Sequence, residues 1–204
     1  MKSIEEALRR GAGTGGWTES AANAAAKTFG GGAEDAHLLD VAYGFVDTPF
    51  GRYLAATTPQ GLVTLSFHTE YDQVLGELSR RISPRVLEAP AKLDELRREL
   101  DEYFDGRRHD FDIPLDWRLT GGFMQRVLRA TAKIPYGGVA TYRDVARRAG
   151  NPRAVRAAGN ALGANPIPIV VPCHRVVRTG GAVGNYGGGP DMKRALLKLE
   201  GALL

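Results

Sequence analysis

A single cysteine, Cys173, occurs in the 204 residues. That excludes an intramolecular disulfide and leaves no paired Cys or Cys/His spacing for a structural zinc site. The four histidines, His37, His68, His109 and His174, are scattered along the chain, so no metal centre is expected. Long apolar runs are missing too: residues 167–171 are interrupted by Pro168, whereas a bilayer span needs roughly 20 apolar residues. The opening Met-Lys-Ser-Ile-Glu-Glu lacks the apolar stretch of a secretory signal. The expectation is a cytoplasmic protein, without a membrane segment, metal or cofactor.

What is present is ordinary globular composition, 43% hydrophobic and 25% charged. The charge is unevenly divided. Lys plus Arg number 14 against 20 Asp plus Glu through Arg118, and 13 against 3 from Leu119 onward, so the halves carry −6 and +10. Clustered cations displace the counterions of a phosphate backbone, which points the C-terminal half at a polyanion.

Residues 1–36, with Gly-Ala-Gly-Thr-Gly-Gly, an alanine run and Gly30-Gly31-Gly32, read as a flexible extension. Apolar segments at 41–46, 53–56 and 62–67, separated by Thr-Pro-Phe-Gly and Pro-Gln-Gly turn signals, predict an antiparallel meander. Helical spacing follows at 70–82 and 92–104, where Leu93, Leu96, Leu100 and Phe104 line one face. The acidic, proline-containing stretch 110–117 reads as a linker, with a domain boundary near Trp117. The fold class is α+β: a small antiparallel sheet with helices, then a mostly helical C-terminal domain.

In that second domain, Thr141-Tyr-Arg-Asp144 has the spacing of an N-terminal capping box and opens a short helix that stops at Gly150. Asn151-Pro152 is expected to restart a helix at once, with Val155, Ala158 and Leu162 as its apolar stripe. The pair outlines a helix-turn-helix. Its second helix carries small side chains, Ala154, Ala157, Ala158, Gly159 and Ala161, around one long cation, Arg156.

The thiol of Cys173 ends a β-branched run behind Pro172. A free cysteine is most often a small buried hydrophobe, yet a thiolate beside histidine is a strong nucleophile, which makes His174 a candidate base. On an extended strand the two side chains would face opposite ways, so a relay through water suits them better than direct contact. Glu200 ends a helix opened by Pro190, where it opposes the macrodipole; it either faces solvent or pairs with a cation such as protonated His174.

Pro172-Cys-His-Arg-Val-Val177, preceded by Gly163-Ala-Asn-Pro-Ile-Pro and followed by Gly184-Asn-Tyr-Gly-Gly, resembles the methylated-DNA–protein-cysteine methyltransferases. The likeness extends through Ile134-Pro-Tyr-Gly, Thr141-Tyr142 and the closing Leu-Glu-Gly, over nearly all of residues 119–201, and is looser over 39–118. It implies a ribonuclease-H-like domain over 37–117 and a DNA-binding, alkyl-accepting domain over 118–204.

The resemblance also implies roles. Cys173 would be the alkyl acceptor, His174 its water-mediated base, and Glu200 the group that orients and charges His174, which reverses the solvent reading. Arg156 would enter the duplex in place of an extruded nucleotide, and Tyr142 would help turn the nucleotide and meet guanine O6. Asn165 would tie the recognition helix to the acceptor. Tyr186, Gly187 and Gly188 would form a lid over the base, with Pro168 on the opposite wall. Thr141, Ala154, Ala157 and Gly159 would lie along the minor groove of double-stranded DNA, and a monomer suffices. An O6-alkyl group lies within a base pair, so a sulfur reaches it only after the nucleotide is flipped out.

Gly187 departs from relatives that carry a hydroxyl residue there. Two rivals share part of the pattern. A non-catalytic sensor of alkylated bases would have the same helix pair, but such relatives lack the acceptor cysteine. A Cys-His hydrolase would need a base geometry and an oxyanion hole from elsewhere.

Overall fold

The computed structural model describes residues 39–67 and 70–202; the extension expected over 1–36 lies outside the described residues. Three strands follow one another, β1 (Val41–Thr48), β2 (Gly51–Thr58) and β3 (Gly61–Ser66), paired antiparallel. The expected meander is therefore present. A fourth strand, β4 (Val86–Glu88), lies beside β1 in parallel, giving the order β3-β2-β1-β4 and making the sheet mixed.

Both hairpin turns depend on glycine. Gly51 and Gly61 have φ of 116° and 126°, a region that side chains disfavour. At Gly61 a Cβ would also lie 2.1 Å from the Pro114 carbonyl oxygen. That contact is close because the 110–117 stretch pairs with β3: Leu62 N–H donates to Pro114 O at 2.8 Å, and Asp116 N–H to Leu62 O at 2.8 Å. The predicted linker is thus stitched to the sheet edge.

Helices α1 (Tyr71–Arg81) and α2 (Asp94–Phe104) cover the sheet. On α2 the inward face is Leu96, Leu100 and Tyr103, all fully buried, with Leu93 ahead of it in a 3-10 turn. Phe104, expected on that face, is only partly buried. Each large apolar side chain buried this way contributes about 1.5–3 kcal/mol. Burial, rather than propensity, holds these 11-residue helices.

The C-terminal part contains α3 (Gly122–Thr131), a two-residue pair β5 (Ala140–Thr141) and β6 (Val176–Val177), and helices α4 (Tyr142–Arg148), α5 (Val155–Gly163) and α6 (Gly189–Leu199). Its core is continuous with the sheet's: Val127, Leu128, Ile134, Cys173 and Leu196 cluster with Val46, Tyr53, Leu65 and Tyr103.

The capping box is formed. Thr141 Oγ1 accepts from Asp144 N–H at 3.1 Å, and the Asp144 carboxylate accepts from Thr141 N–H at 3.1 Å. Thr141→Ala removes this cap at a cost of about 1 kcal/mol. We expect Tm to fall by roughly 2–4 °C; an unchanged melting curve would show the cap to be idle.

The turn between α4 and α5 differs from the expectation. Gly150 does stop α4, at φ 87°. Asn151, however, does not cap a helix at Pro152. Its side-chain oxygen accepts from Arg153 N–H and its carbonyl from Ala154 N–H, closing a turn that delays α5 to Val155. The asparagine hydrogen-bonds locally, as that residue favours in turns.

Candidate active site

Residues 167–171 do not run extended to the thiol. Ile169 has φ 72°, a left-handed conformation that a β-branched residue adopts only under constraint, at a cost on the order of 1–3 kcal/mol. The kink lets Val171 N–H donate to Ile167 O at 2.9 Å. After this tight turn Cys173, His174 and Arg175 form one turn of 3-10 helix. The strand geometry expected to separate Cys173 from His174 is therefore absent.

Asn165 fixes Cys173. Its amide nitrogen donates to Val171 O at 2.9 Å and to Cys173 Sγ at 3.1 Å, while its oxygen accepts from Ile167 N–H at 3.1 Å. Asn165 follows directly on α5 and Ala164, so it links that helix to the sulfur. The next residue binds to the sheet: Pro166 O accepts from Leu65 N–H at 2.8 Å and from Thr64 Oγ1–H at 3.0 Å.

Behind the sulfur lies a buried ionic cluster centred on Glu200. The carboxylate accepts from His174 Nε2–H at 2.9 Å, from Arg175 Nε–H and Nη2–H at 2.9 Å each, and from the Tyr103 hydroxyl at 2.7 Å. Burial alone would raise the Glu200 pKa, but hydrogen bonds from His174 and Arg175 outweigh it and bring the group down to about 2. Of the two readings of Glu200, pairing is the one found.

An ionised carboxylate can only accept, so the proton of neutral His174 sits on Nε2 and the lone pair on Nδ1. Nδ1 is buried and has no hydrogen-bond partner among the described residues. Burial pushes the His174 pKa down, partly offset by Glu200 and reinforced by Arg175 and Lys193. Burial pushes the Cys173 thiol up, against the Asn165 amide and the Lys193 charge. At neutral pH the resting pair is a protonated thiol and a neutral imidazole able to take a proton.

Cys173 opens on a cleft of about 440 Å³ lined by Tyr142, Arg156, Gly159, Arg178, Asn185, Tyr186 and Gly187, among others, within the usual size of ligand sites. Arg156 is exposed at its rim, and the small residues Ala157 and Gly159 leave the outer face of α5 low. Tyr142, the first residue of α4, donates its hydroxyl to Asn185 O at 3.4 Å; burial raises its pKa, so it remains a phenol. A second cleft of about 500 Å³ lies between α1, β3 and α3 and shares only Asn165 and Gly163 with the acceptor's surroundings.

The remaining expected residues are spread around this centre. Gly188 follows Tyr186 and Gly187 in the loop before α6: a Cβ there would lie 2.3 Å from Met192 Sδ. Pro168 is buried in the kinked turn and is not among the cleft's lining residues. Thr141 caps α4, and Ala154 precedes α5. The glycine at 187 has a steric reason, since a Cβ would sit 2.9 Å from the Phe67 ring. A hydroxyl residue there would require Phe67 to move.

Three contributors carried no role in the sequence reading. Arg175 makes two hydrogen bonds to Glu200 and also donates to Ile134 O. Tyr103 arrives from α2. Lys193 is fully buried on α6, donates to Val176 O and lies 5.9 Å from the Tyr142 ring; burial lowers its pKa to about 8. The inward face of each helix was readable, but not that a lysine and a tyrosine hydroxyl on those faces would meet this site.

The family model described as 6-O-methylguanine DNA methyltransferase, ribonuclease-like domain, matches residues 41–117, and the DNA binding domain of the same family matches 122–202. The inducible methylated-DNA–protein-cysteine methyltransferase of Bacillus subtilis is 39% identical over 151 residues, 73% of this chain and 84% of that one. The Methanosarcina barkeri methylated-DNA–protein-cysteine methyltransferase is 37% identical over 158 residues, 78% and 96% of the two chains. Mycobacterium tuberculosis OGT, crystallised in complex with DNA, superposes with a TM-score of 0.68 at 37% identity, covering 79% of this chain and 93% of that one. With both family models matched in order and relatives of this identity spanning most of each chain, the protein belongs to the 6-O-methylguanine DNA methyltransferase family, and its activity is the repair of O6-methylguanine in DNA by methyl transfer to a protein cysteine.

Proposed function

We propose that Cys173 accepts the alkyl group, once per chain, from a guanine turned out of the double helix into the cleft above it. The observation that carries this is the position of the one thiol in the sequence: at the cleft, tethered to Asn165, and next in chain to an imidazole whose other nitrogen is bound to a carboxylate. His174 Nδ1 takes the thiol proton through a water. The thiolate attacks the alkyl carbon, the S–C bond forms as the C–O6 bond breaks, and the electron pair left on O6 is met by the Tyr142 hydroxyl. The thioether has no leaving group that would regenerate the thiol, so one chain repairs one lesion.

On this reading residues 37–117 form the ribonuclease-like domain and 118–204 the domain that binds duplex and accepts the alkyl group. Helix α5 lies in the minor groove, where Ala157 and Gly159 allow close approach and Arg156 fills the space of the extruded nucleotide. Tyr186, Gly187 and Gly188 close over the base. Thr141 and Ala154 lie along the backbone, and Pro168 stiffens the far side of the acceptor segment rather than touching the base. One chain supplies every group, so the working unit is a monomer.

The Arg156 assignment has a direct test. In Arg156→Ala, single-turnover alkylation by duplex carrying O6-methylguanine should slow about tenfold or more, because the vacated stack loses its substitute and extrusion costs a few kcal/mol. Alkylation by a free O6-alkylguanine base, which needs no extrusion, should be unchanged. Equal loss with both substrates would remove Arg156 from the extrusion step.

A further inference from the structure

Glu200 is held from both parts of the chain. His174 and Arg175 reach it from the acceptor segment. Tyr103, 97 positions before it on α2, donates its hydroxyl to Oε1, the oxygen that also accepts from His174 Nε2 and Arg175 Nη2. The Tyr103 ring is fully buried and packs against Phe104, Phe111 and Tyr136. A phenylalanine would supply those contacts; what tyrosine adds is one hydrogen bond into the ionic cluster.

We propose that Tyr103 is a positioning residue through which the N-terminal half of the chain sets the basicity of His174. The inference rests on the relay of His174 and Glu200 proposed above and extends it to the other half. A hydroxyl donating to Oε1 takes up part of the charge that this oxygen presents to the imidazole and fixes where the oxygen sits. Without it Oε1 becomes a stronger acceptor, the imidazolium is favoured, and His174 gives up its proton less readily.

Arg175 Nη2–H also donates to Oε1, so Tyr103 adds a neutral donor beside a charged one. Arg175 and Lys193 in addition act on His174 as cations, and Tyr186 meets its ring edge-on at 6.4 Å. Tyr136 commits its hydroxyl to Leu199 O and its ring to His109, stacked at 4.1 Å. Gly137 N–H reaches the other oxygen, Oε2, at 3.4 Å. Cys173 is the group whose proton His174 is to receive.

The experiment is single-turnover alkylation of full-length Tyr103→Phe by duplex O6-methylguanine across the histidine titration range, beside wild type and Glu200→Gln. The expected result is a rate profile whose midpoint moves up by about half a pH unit or more, with duplex affinity unchanged. Titration of the His174 ring by NMR in the same variant should move in the same direction. A rate reduced by one factor at every pH, with an unshifted imidazole, would reduce Tyr103 to packing. If Glu200→Gln moves the profile and Tyr103→Phe does not, this proposal fails alone. If neither variant moves it, the relay itself is wrong.

Discussion

Glu200→Gln should slow methylation of Cys173 by about a hundredfold, within the range general-base assistance contributes, and should destabilise the fold in a pH-dependent way. The Gln side chain fits the same space but carries no charge. It leaves Arg175, almost wholly buried, without its anion, and puts an amide NH2, which cannot accept, where one of the two oxygens met by His174 and Arg175 had been. Breaking a buried pair by removing one partner costs about 3–5 kcal/mol, so Tm should drop by roughly 10 °C or more in a chain of this size.

The pH dependence follows from the direction of the shift. Glu200 is held near 2 in the fold against an ordinary value of 4.5, so its contribution, on the order of 3 kcal/mol, is fully present above about pH 4.5. It is lost as the pH falls towards 2, where the folded carboxylate takes up its proton. Wild type and Glu200→Gln should therefore converge in stability in acid and separate near neutrality. A difference constant with pH, or one that grows in acid, would contradict the ionised, hydrogen-bonded state assigned to Glu200.

Cys173→Ala should abolish transfer altogether and leave duplex binding within about twofold of wild type. The loss is complete because no second thiol exists in the sequence. Binding should be spared because the basic side chains of the C-terminal half and the exposed side of α5 do not depend on the sulfur. Asn165 keeps its bond to Val171 O and its bond from Ile167 N–H, so the acceptor segment retains its shape. Methyl transfer to any residue of the variant, measured by adduct mapping, would displace Cys173 as acceptor.

Much of this arrangement was legible in sequence because it is local. The Thr141/Asp144 capping box, the turn glycines, the apolar face of α2 and the Pro-Cys-His-Arg segment each declare themselves within a few residues. The features that were not legible have partners far away or depend on strain. Strand β4 has three residues and exists because β1, 45 positions earlier in register, offers an open edge. The β-branched run before Cys173 has strand composition, yet Ile169 is forced into a left-handed turn by the Pro166 and Asn165 contacts around it. Asn151-Pro152 satisfies the rule for a helix start and the rule for a turn equally well, and the turn prevails.

The candidate site divides the same way. Cys173, His174, Tyr142, Arg156 and Asn165 lie in or beside recognisable motifs, and all are close to the sulfur or its cleft. Glu200 was ambiguous, since a carboxylate at a helix C-terminus is unfavourable unless donors or cations meet it; Arg175 supplies the cation, and His174 and Tyr103 supply neutral donors. Tyr103 and Lys193 occupied positions on inward helix faces, where a tyrosine hydroxyl or a lysine must find an acceptor. Which acceptor is fixed only once α2 and α6 pack against the acceptor segment.

The measurement that bears most directly on the mechanism is the intact mass of the protein after incubation with excess duplex DNA carrying O6-methylguanine, followed by peptide mapping. One methyl group per chain, on Cys173, with no further lesions consumed, is the expected result. An unchanged mass despite tight binding, or repair of many lesions by one chain, would contradict transfer to Cys173 as the repair step.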